Sequence, residues 1–175
     1  MNKPVVGIVI GSDSDLPVMQ EATRTLDQLG VPYELTIASA HRTPARAEEY
    51  AASAETRGLE VIIAAAGGAA HLGGVIAAWT TLPVIGVPIK TSTLSGVDSL
   101  YSMVQMPAGV PVATVSINGA KNAAILAAQI LGVKDPAIRE RVRKLKQDQG
   151  QEVEAKAERL AQLGIDGYLK EMGTK

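Results

Sequence analysis

The chain has 175 residues, enough for one domain with a substantial core, and a near-balanced charge of 17 basic against 18 acidic side chains. That balance gives no nucleic-acid footprint, and the lack of cysteine excludes disulfides, thiolate metal sites and a cysteine nucleophile. No run reaches the roughly 18 apolar residues of a membrane span, and the N-terminal apolar run is too short for a secretory signal, so a soluble cytoplasmic protein is expected.

Apolar runs alternate with helical patterns along the chain, as in a parallel sheet with crossover helices. VVGIVI, residues 5–10, is rich in β-branched side chains and reads as a strand covered on both faces. GSDSD follows, then a helix with Met19, Ala22, Leu26 and Leu29 on one face. Pro17 suits its first turn and Gly30 its end. YELTIAS, residues 33–39, is the second strand, and residues 43–58 form the second helix. EVIIAA, residues 60–65, is the third strand, with a short helix through Ile76 and Trp79 after it. PVIGVP, residues 83–88, is the fourth, and a helix near residues 97–104 lies in the long connection beyond. VATVSI, residues 112–117, is the fifth strand, and residues 120–131 the fifth helix. From Pro136 the chain is charged and helical, with Val153, Ala157, Leu160 and Gly164 on one stripe and a break expected at Gln149 and Gly150.

This rhythm predicts an α/β fold: a three-layer αβα sandwich, flavodoxin- or Rossmann-like, on about five parallel strands, plus a C-terminal helical tail. Residues 1–133 are expected to form the core, and residues 134–175 an extension packed on that core or on a neighbouring subunit, within one domain overall. The helix at residues 120–131 is apolar nearly all round, relieved only by Lys121, Asn122 and Gln129. Such a helix needs cover on more than one side, and a second subunit is the expected source, making the protein a homo-oligomer.

In an open parallel sheet, ligands bind beyond the carboxyl ends of the strands. Both histidines and two glycine-rich turns fall on that edge. GSDSD opens a helix, where free N–H groups favour an anion. Ser12 and Ser14 offer donors, and Asp15 suits ribose hydroxyls, although the same residues also make an ordinary helix cap. In SAHRTP, His41 either caps a turn or carries protons beside an anion held by Arg42. His71 either orients its loop or faces a ligand. Around it, AAGGAAHL presents small side chains that expose backbone N–H groups and leave an apolar, water-poor hollow for a small neutral molecule or a carboxylate losing its charge. No ligand pair has HxxxH-type spacing, so no metal is expected. A phospho-receiver domain would need aspartate where Ala64, Ala65 and Ala66 stand, and a flavodoxin would want aromatics that are nearly absent.

Together, GSDSD, SAHRTP, GGAAHL, GVDSLYSMVQMP and NAAILAAQIL, in this order and spacing from about residue 5 to 131, resemble the class I PurE family. The resemblance implies an N5-carboxyaminoimidazole ribonucleotide mutase of purine biosynthesis. Such an enzyme moves a carboxylate from an exocyclic nitrogen to C4 of the same imidazole by decarboxylation and recarboxylation. It further implies no metal or organic cofactor, and a homo-octamer. On that model His41 is the general acid and base at C4. Ser12, Asp15 and Arg42 hold the ribose 5′-phosphate end with help from Ser14. Ala66, Gly67, Ala70, His71 and Leu72 line the pocket that traps carbon dioxide. Two positions depart from the family's AGAGGAAHLPG: Ala65 replaces a glycine, and Gly73 replaces a proline. The first is expected to crowd the pocket floor or strain the backbone, the second to free the loop.

Two competing readings remain. The class II relatives carboxylate aminoimidazole ribonucleotide directly, but they tend to carry lysine at the place of Arg42 and lack the GGAAHL run. A nucleotide-sensing module without chemistry would have no use for a histidine beside a phosphate-binding arginine.

Overall fold

The computed structural model describes residues 3–173. Strands β1 (Val6–Ile10), β2 (Tyr33–Ile37), β3 (Val61–Gly67), β4 (Val84–Ile89) and β5 (Ala113–Thr114) form one sheet in the order β2-β1-β3-β4-β5, all pairs parallel. Helices α1 (Leu16–Gln28), α2 (Pro44–Arg57), α3 (Leu72–Trp79), α4 (Val97–Val104), α5 (Ala120–Leu131) and α6 (Pro136–Gly173) cover it. The expected sandwich is therefore present, in the flavodoxin-like strand order.

The two-residue period of a strand divides the core into two clusters. Val6, Ile8 and Ile10 of β1, Val61, Ile63 and Ala65 of β3, and Ile85, Val87 and Ile89 of β4 face α1 and α5 and the start of α6. The alternate residues Val9, Ile62, Ala64, Ala66 and Val84 face α2, α3 and α4 through Ala47, Ala51, Ala54, Leu72, Ile76 and Met103. Strands buried on both faces have no polar side to show, which is why they read as unbroken apolar runs. Edge strand β2 is different: Leu35 and Ile37 are exposed. Gly7 lets α2 approach β1, since a Cβ there would collide with the Tyr50 hydroxyl and lie 2.8 Å from Leu59 Cδ1.

Helix ends follow glycine. Gly30 at φ +60° ends α1, and Gly58 at φ +93° ends α2, where the amide of Leu59 donates back to Ala54 O at 3.1 Å. The first helix face is as expected, with Met19, Ala22, Leu26 and Leu29 all buried.

Four expectations need correction. Strand β5 spans two residues rather than six, although the chain runs on beside β4: the amides of Val115 and Asn118 donate to Gly86 O and Pro88 O. Pro88 turns its carbonyl towards β5 but has no N–H to offer there, so the ladder lapses. The tail does not break at Gln149 and Gly150, because one interior glycine costs a helix only about 1 kcal/mol. It breaks at Gly164, whose φ of 65° and ψ of 174° are open to glycine alone. Beyond the break the chain folds back, and Arg159 pairs with Glu171. Helix α5 takes its main cover from α1 and α6 of its own chain rather than from a second subunit, with Ile125, Leu126 and Ile130 half-buried. Lastly, Ala65 neither crowds a pocket floor nor takes a positive φ: it lies inside β3, packed in the α1/α5 cluster.

The stripe of Val153, Ala157, Leu160 and Gly164 is exposed in the single chain. No helix of the described residues is long and apolar enough to cross a membrane.

Candidate active site

The chain passes from β1 out to β2 and returns to β3 on the other side of β1, so a crevice opens at the carboxyl ends of β1 and β3. It is a cleft of about 500 Å³ whose walls come from the loops after β1, β2, β3 and β4.

The first wall is a capped turn. Ser12 is the N-cap of a single 3-10 turn, Asp13–Asp15: its Oγ accepts from the Ser14 amide at 3.3 Å. Its own amide donates to Asp15 Oδ2 at 3.2 Å, closing a capping box. Ser14 Oγ donates to Asp15 Oδ1 at 3.4 Å. Asp15 is 5% exposed, and burial pushes its carboxyl above the usual range, against the opposing pull of the Ser12 amide, the Ser14 hydroxyl and the Gly11 backbone. Capping and cleft lining are thus both true of these residues.

The second wall is organised by Ser39. Its Oγ accepts from the Arg42 amide at 3.2 Å, and its own amide donates to Thr43 Oγ1 at 2.9 Å. Arg42 reaches back to donate from Nη2 to Gly11 O at 3.1 Å, drawing the first two loops together. Its guanidinium has no carboxylate partner among the described residues and keeps further donors for an anion. His41, one residue earlier, is exposed to the cleft.

The third wall is apolar: Ala66, Gly67, Ala69 and Leu72. Gly68, at φ +67°, turns the chain, and its amide donates to the Ser99 hydroxyl at 2.9 Å while that hydroxyl donates to Ile89 O at 2.7 Å. Ser99 is fully buried and so ties the loop after β3 to the end of β4. The amides of Ala70 and His71 donate to Gly68 O and Ala69 O. The expectation that this run offers its N–H groups to a ligand is therefore corrected at three positions. What the loop supplies is an apolar surface and an imidazole. The ring of His71 stands 6.1 Å from that of His41, centroid to centroid, across the cleft.

Of the residues singled out, Ser12, Ser14, Asp15, His41, Arg42, Ala66, Gly67, His71 and Leu72 line this one cleft. Ala70 does not: it is 1% exposed and packs in the α2/α3 cluster beneath the loop. Gly11, Ser39, Ala40, Ala69, Lys90 and Thr91, which follow strands on the same edge but were given no role, also line it, as does Ile89, which the sequence reading did not single out. Their signal was position alone, directly after a strand. The water-poor hollow is half realised, with an apolar wall but both imidazoles exposed to solvent. Among the described residues, no three His, Cys, Asp or Glu side chains gather as metal ligands.

Comparison with known proteins agrees with this architecture. The family model for AIR carboxylase matches residues 5–152. The N5-carboxyaminoimidazole ribonucleotide mutase of Pyrococcus horikoshii is 64% identical over 169 residues, covering 97% of this chain and 96% of that protein. That of Thermotoga maritima is 62% identical, covering 96% and 98%. The phosphoribosylaminoimidazole carboxylase of Saccharomyces cerevisiae is 56% identical across 97% of this chain, which spans 30% of that longer protein. The crystal structure of Treponema denticola PurE superposes with a TM-score of 0.80 at 28% identity, over 90% of this chain and 98% of that one. With a family model matched over most of its length and relatives this similar end to end, the chain belongs to the AIR carboxylase (PurE) family.

Proposed function

We infer that the chain is an N5-carboxyaminoimidazole ribonucleotide mutase of purine biosynthesis, an isomerase acting on a small nucleotide. The observation that carries the reading is one cleft with an unpaired guanidinium and hydroxyls at one end, an apolar wall at the other, and two imidazoles 6.1 Å apart between them. Relatives of that name at 62% and 64% identity support it.

The roles follow from the chemistry each wall offers. Arg42, Ser12 and Ser14 bind the 5′-phosphate, and Asp15 accepts from ribose hydroxyls. The carbamate's bond to N5 breaks while His41 delivers a proton to C4. Carbon dioxide is held against Ala66, Gly67, Leu72 and His71 while His41 takes one of the two C4 protons back, and the electron pair released bonds C4 to the gas. His41 passes that proton to the imine nitrogen left at N5 and then removes the last C4 proton, which restores the aromatic ring and the amino group and leaves His41 protonated as it began. An apolar wall favours the step that discharges an anion. Holding ring and gas together makes recapture effectively unimolecular. The enzyme works in the cytoplasm and assembles as a homo-octamer. Support for assembly comes from Val97, Tyr101 and Val104, an exposed apolar stripe along α4, and from the uncovered apolar residues of the tail.

The test is the change in imidazole ultraviolet absorbance when N5-carboxyaminoimidazole ribonucleotide is supplied. Wild type turns it over, whereas His41→Asn binds the nucleotide but loses about 10³-fold in kcat. A variant with near-normal kcat removes His41 from the mechanism. The name carried by the yeast relative favours a second reading, direct carboxylation of aminoimidazole ribonucleotide. Turnover of that nucleotide with carbon dioxide, and none of the carbamate, selects it.

A further inference from the structure

Lys90 is the first residue after β4, on the wall of the cleft that no role above uses. Its place in the fold separates it from Arg42. The sheet order puts β1 and β3 between β2 and β4, so Arg42 enters the cleft from the β2 side, where it donates to Gly11 O, and Lys90 enters from the β4 side. Lys90 shares the lining with Ala66, Gly67, Ile89 and Thr91, whose hydroxyl donates to Asp98, and it is the cation that the loop after β4 brings to the cleft. No carboxylate among the described residues pairs with it.

The backbone here is held more firmly than an exposed lysine needs. The Lys90 amide donates to Asn118 Oδ1 at 2.9 Å, and Asn118 sits at φ +57°, a conformation few side-chain-bearing residues adopt. On the other flank Gly96, at φ +91°, packs so closely that a Cβ would stand 3.1 Å from Lys90 Cα. These two contacts fix the Lys90 backbone at the cleft wall.

Resting on the mutase reading, we propose that Lys90 binds the carboxylate that the reaction moves, from the β4 side of the cleft, while Arg42 holds the phosphate from the β2 side. A 5′-ribonucleotide carries phosphate and base at its two ends, so a carboxylate on the base falls at the second cation. Carbon dioxide is neutral and gains its negative charge as C4 bonds to it. An ammonium fixed beside that point stabilises the charge as it develops and favours recapture over escape.

Two nucleotides separate this role from its rivals. Carboxyaminoimidazole ribonucleotide has the carboxylate on C4, and aminoimidazole ribonucleotide has the same phosphate without it. In calorimetric titrations, Lys90→Met is expected to weaken the first by about tenfold or more, as for loss of a charge-assisted hydrogen bond, and the second by less than twofold. Lys90→Arg is expected to recover most of the loss. Equal weakening of both places Lys90 on the phosphate, and weakening of neither places it outside the site. Either result overturns the proposal while leaving the mutase reading intact. A wild type that binds neither nucleotide overturns both together. Lys90 is exposed, so its replacement leaves the fold in place, and unchanged binding of the second nucleotide serves as the control.

Discussion

Burial of Asp15 under the first loop raises its carboxyl above the usual range, and the groups that hold it offset that only in part. A group with its folded pKa above its unfolded value binds more protons folded than unfolded between the two. Stability therefore falls as pH rises from 3.8 through the folded value, and the loss persists at neutral pH. Asp15→Asn is neutral throughout and still accepts from the Ser12 amide. It is expected to melt above wild type at pH 7 by scanning calorimetry, with the gap closing as pH approaches the unfolded value, and to bind nucleotide more weakly. Equal melting temperatures at pH 7 would show that the carboxyl is not destabilised there. At this scale the sequence exposed the residues with unusual chemistry, His41, Arg42 and His71, because their types are scarce on an apolar edge. Ser39, Ser99 and Asn118 stayed hidden. A serine or asparagine in a loop looks the same whether it meets water or holds a distant strand, and Ser99 meets Gly68 across 31 positions.

Element by element, strands and helices were legible where periodicity and glycine spoke together, as in α1, α2 and α5. The failures sit where a partner decided the outcome, as when Pro88 of β4 cut β5 short. Gly73 is an element-scale test. It is the second residue of α3 with ordinary backbone φ, and a Cβ there would meet Val112 Cγ1 at 3.5 Å, a normal contact. Gly73→Ala is expected to stabilise by about 0.5–1 kcal/mol in urea denaturation, since glycine loses more freedom on entering a helix. A destabilised variant would mean that the loop before α3 relies on a backbone state alanine disfavours.

For the whole molecule, the question is where the core ends. Ile138, Val142 and Leu145 of α6 are buried in the α1/α5 cluster, and Arg141 Nε donates to Leu29 O at 2.5 Å. Losing three such side chains removes about 5–9 kcal/mol of burial, an upper figure comparable to a typical domain's entire stability. A chain ending at residue 133 is therefore expected to lack a cooperative melt. One ending at residue 148 keeps these anchors, and is expected to melt within a few degrees of the full chain while the proposed oligomer loses copies in sedimentation. Retention of the full-length copy number would assign the proposed assembly to the α4 stripe alone.

Composition and period determined the layers, the parallel sheet and the edge on which the chemistry lies, because local spacing fixes which face a side chain takes. The meeting of His41 with His71, the clamp of Ser99, the entry of Lys90 into the cleft that Arg42 lines and the cover over α5 were settled only in the folded chain. Each of these depends on which strands become neighbours, and that follows from the long-range packing of two cores, which no local window of residues contains.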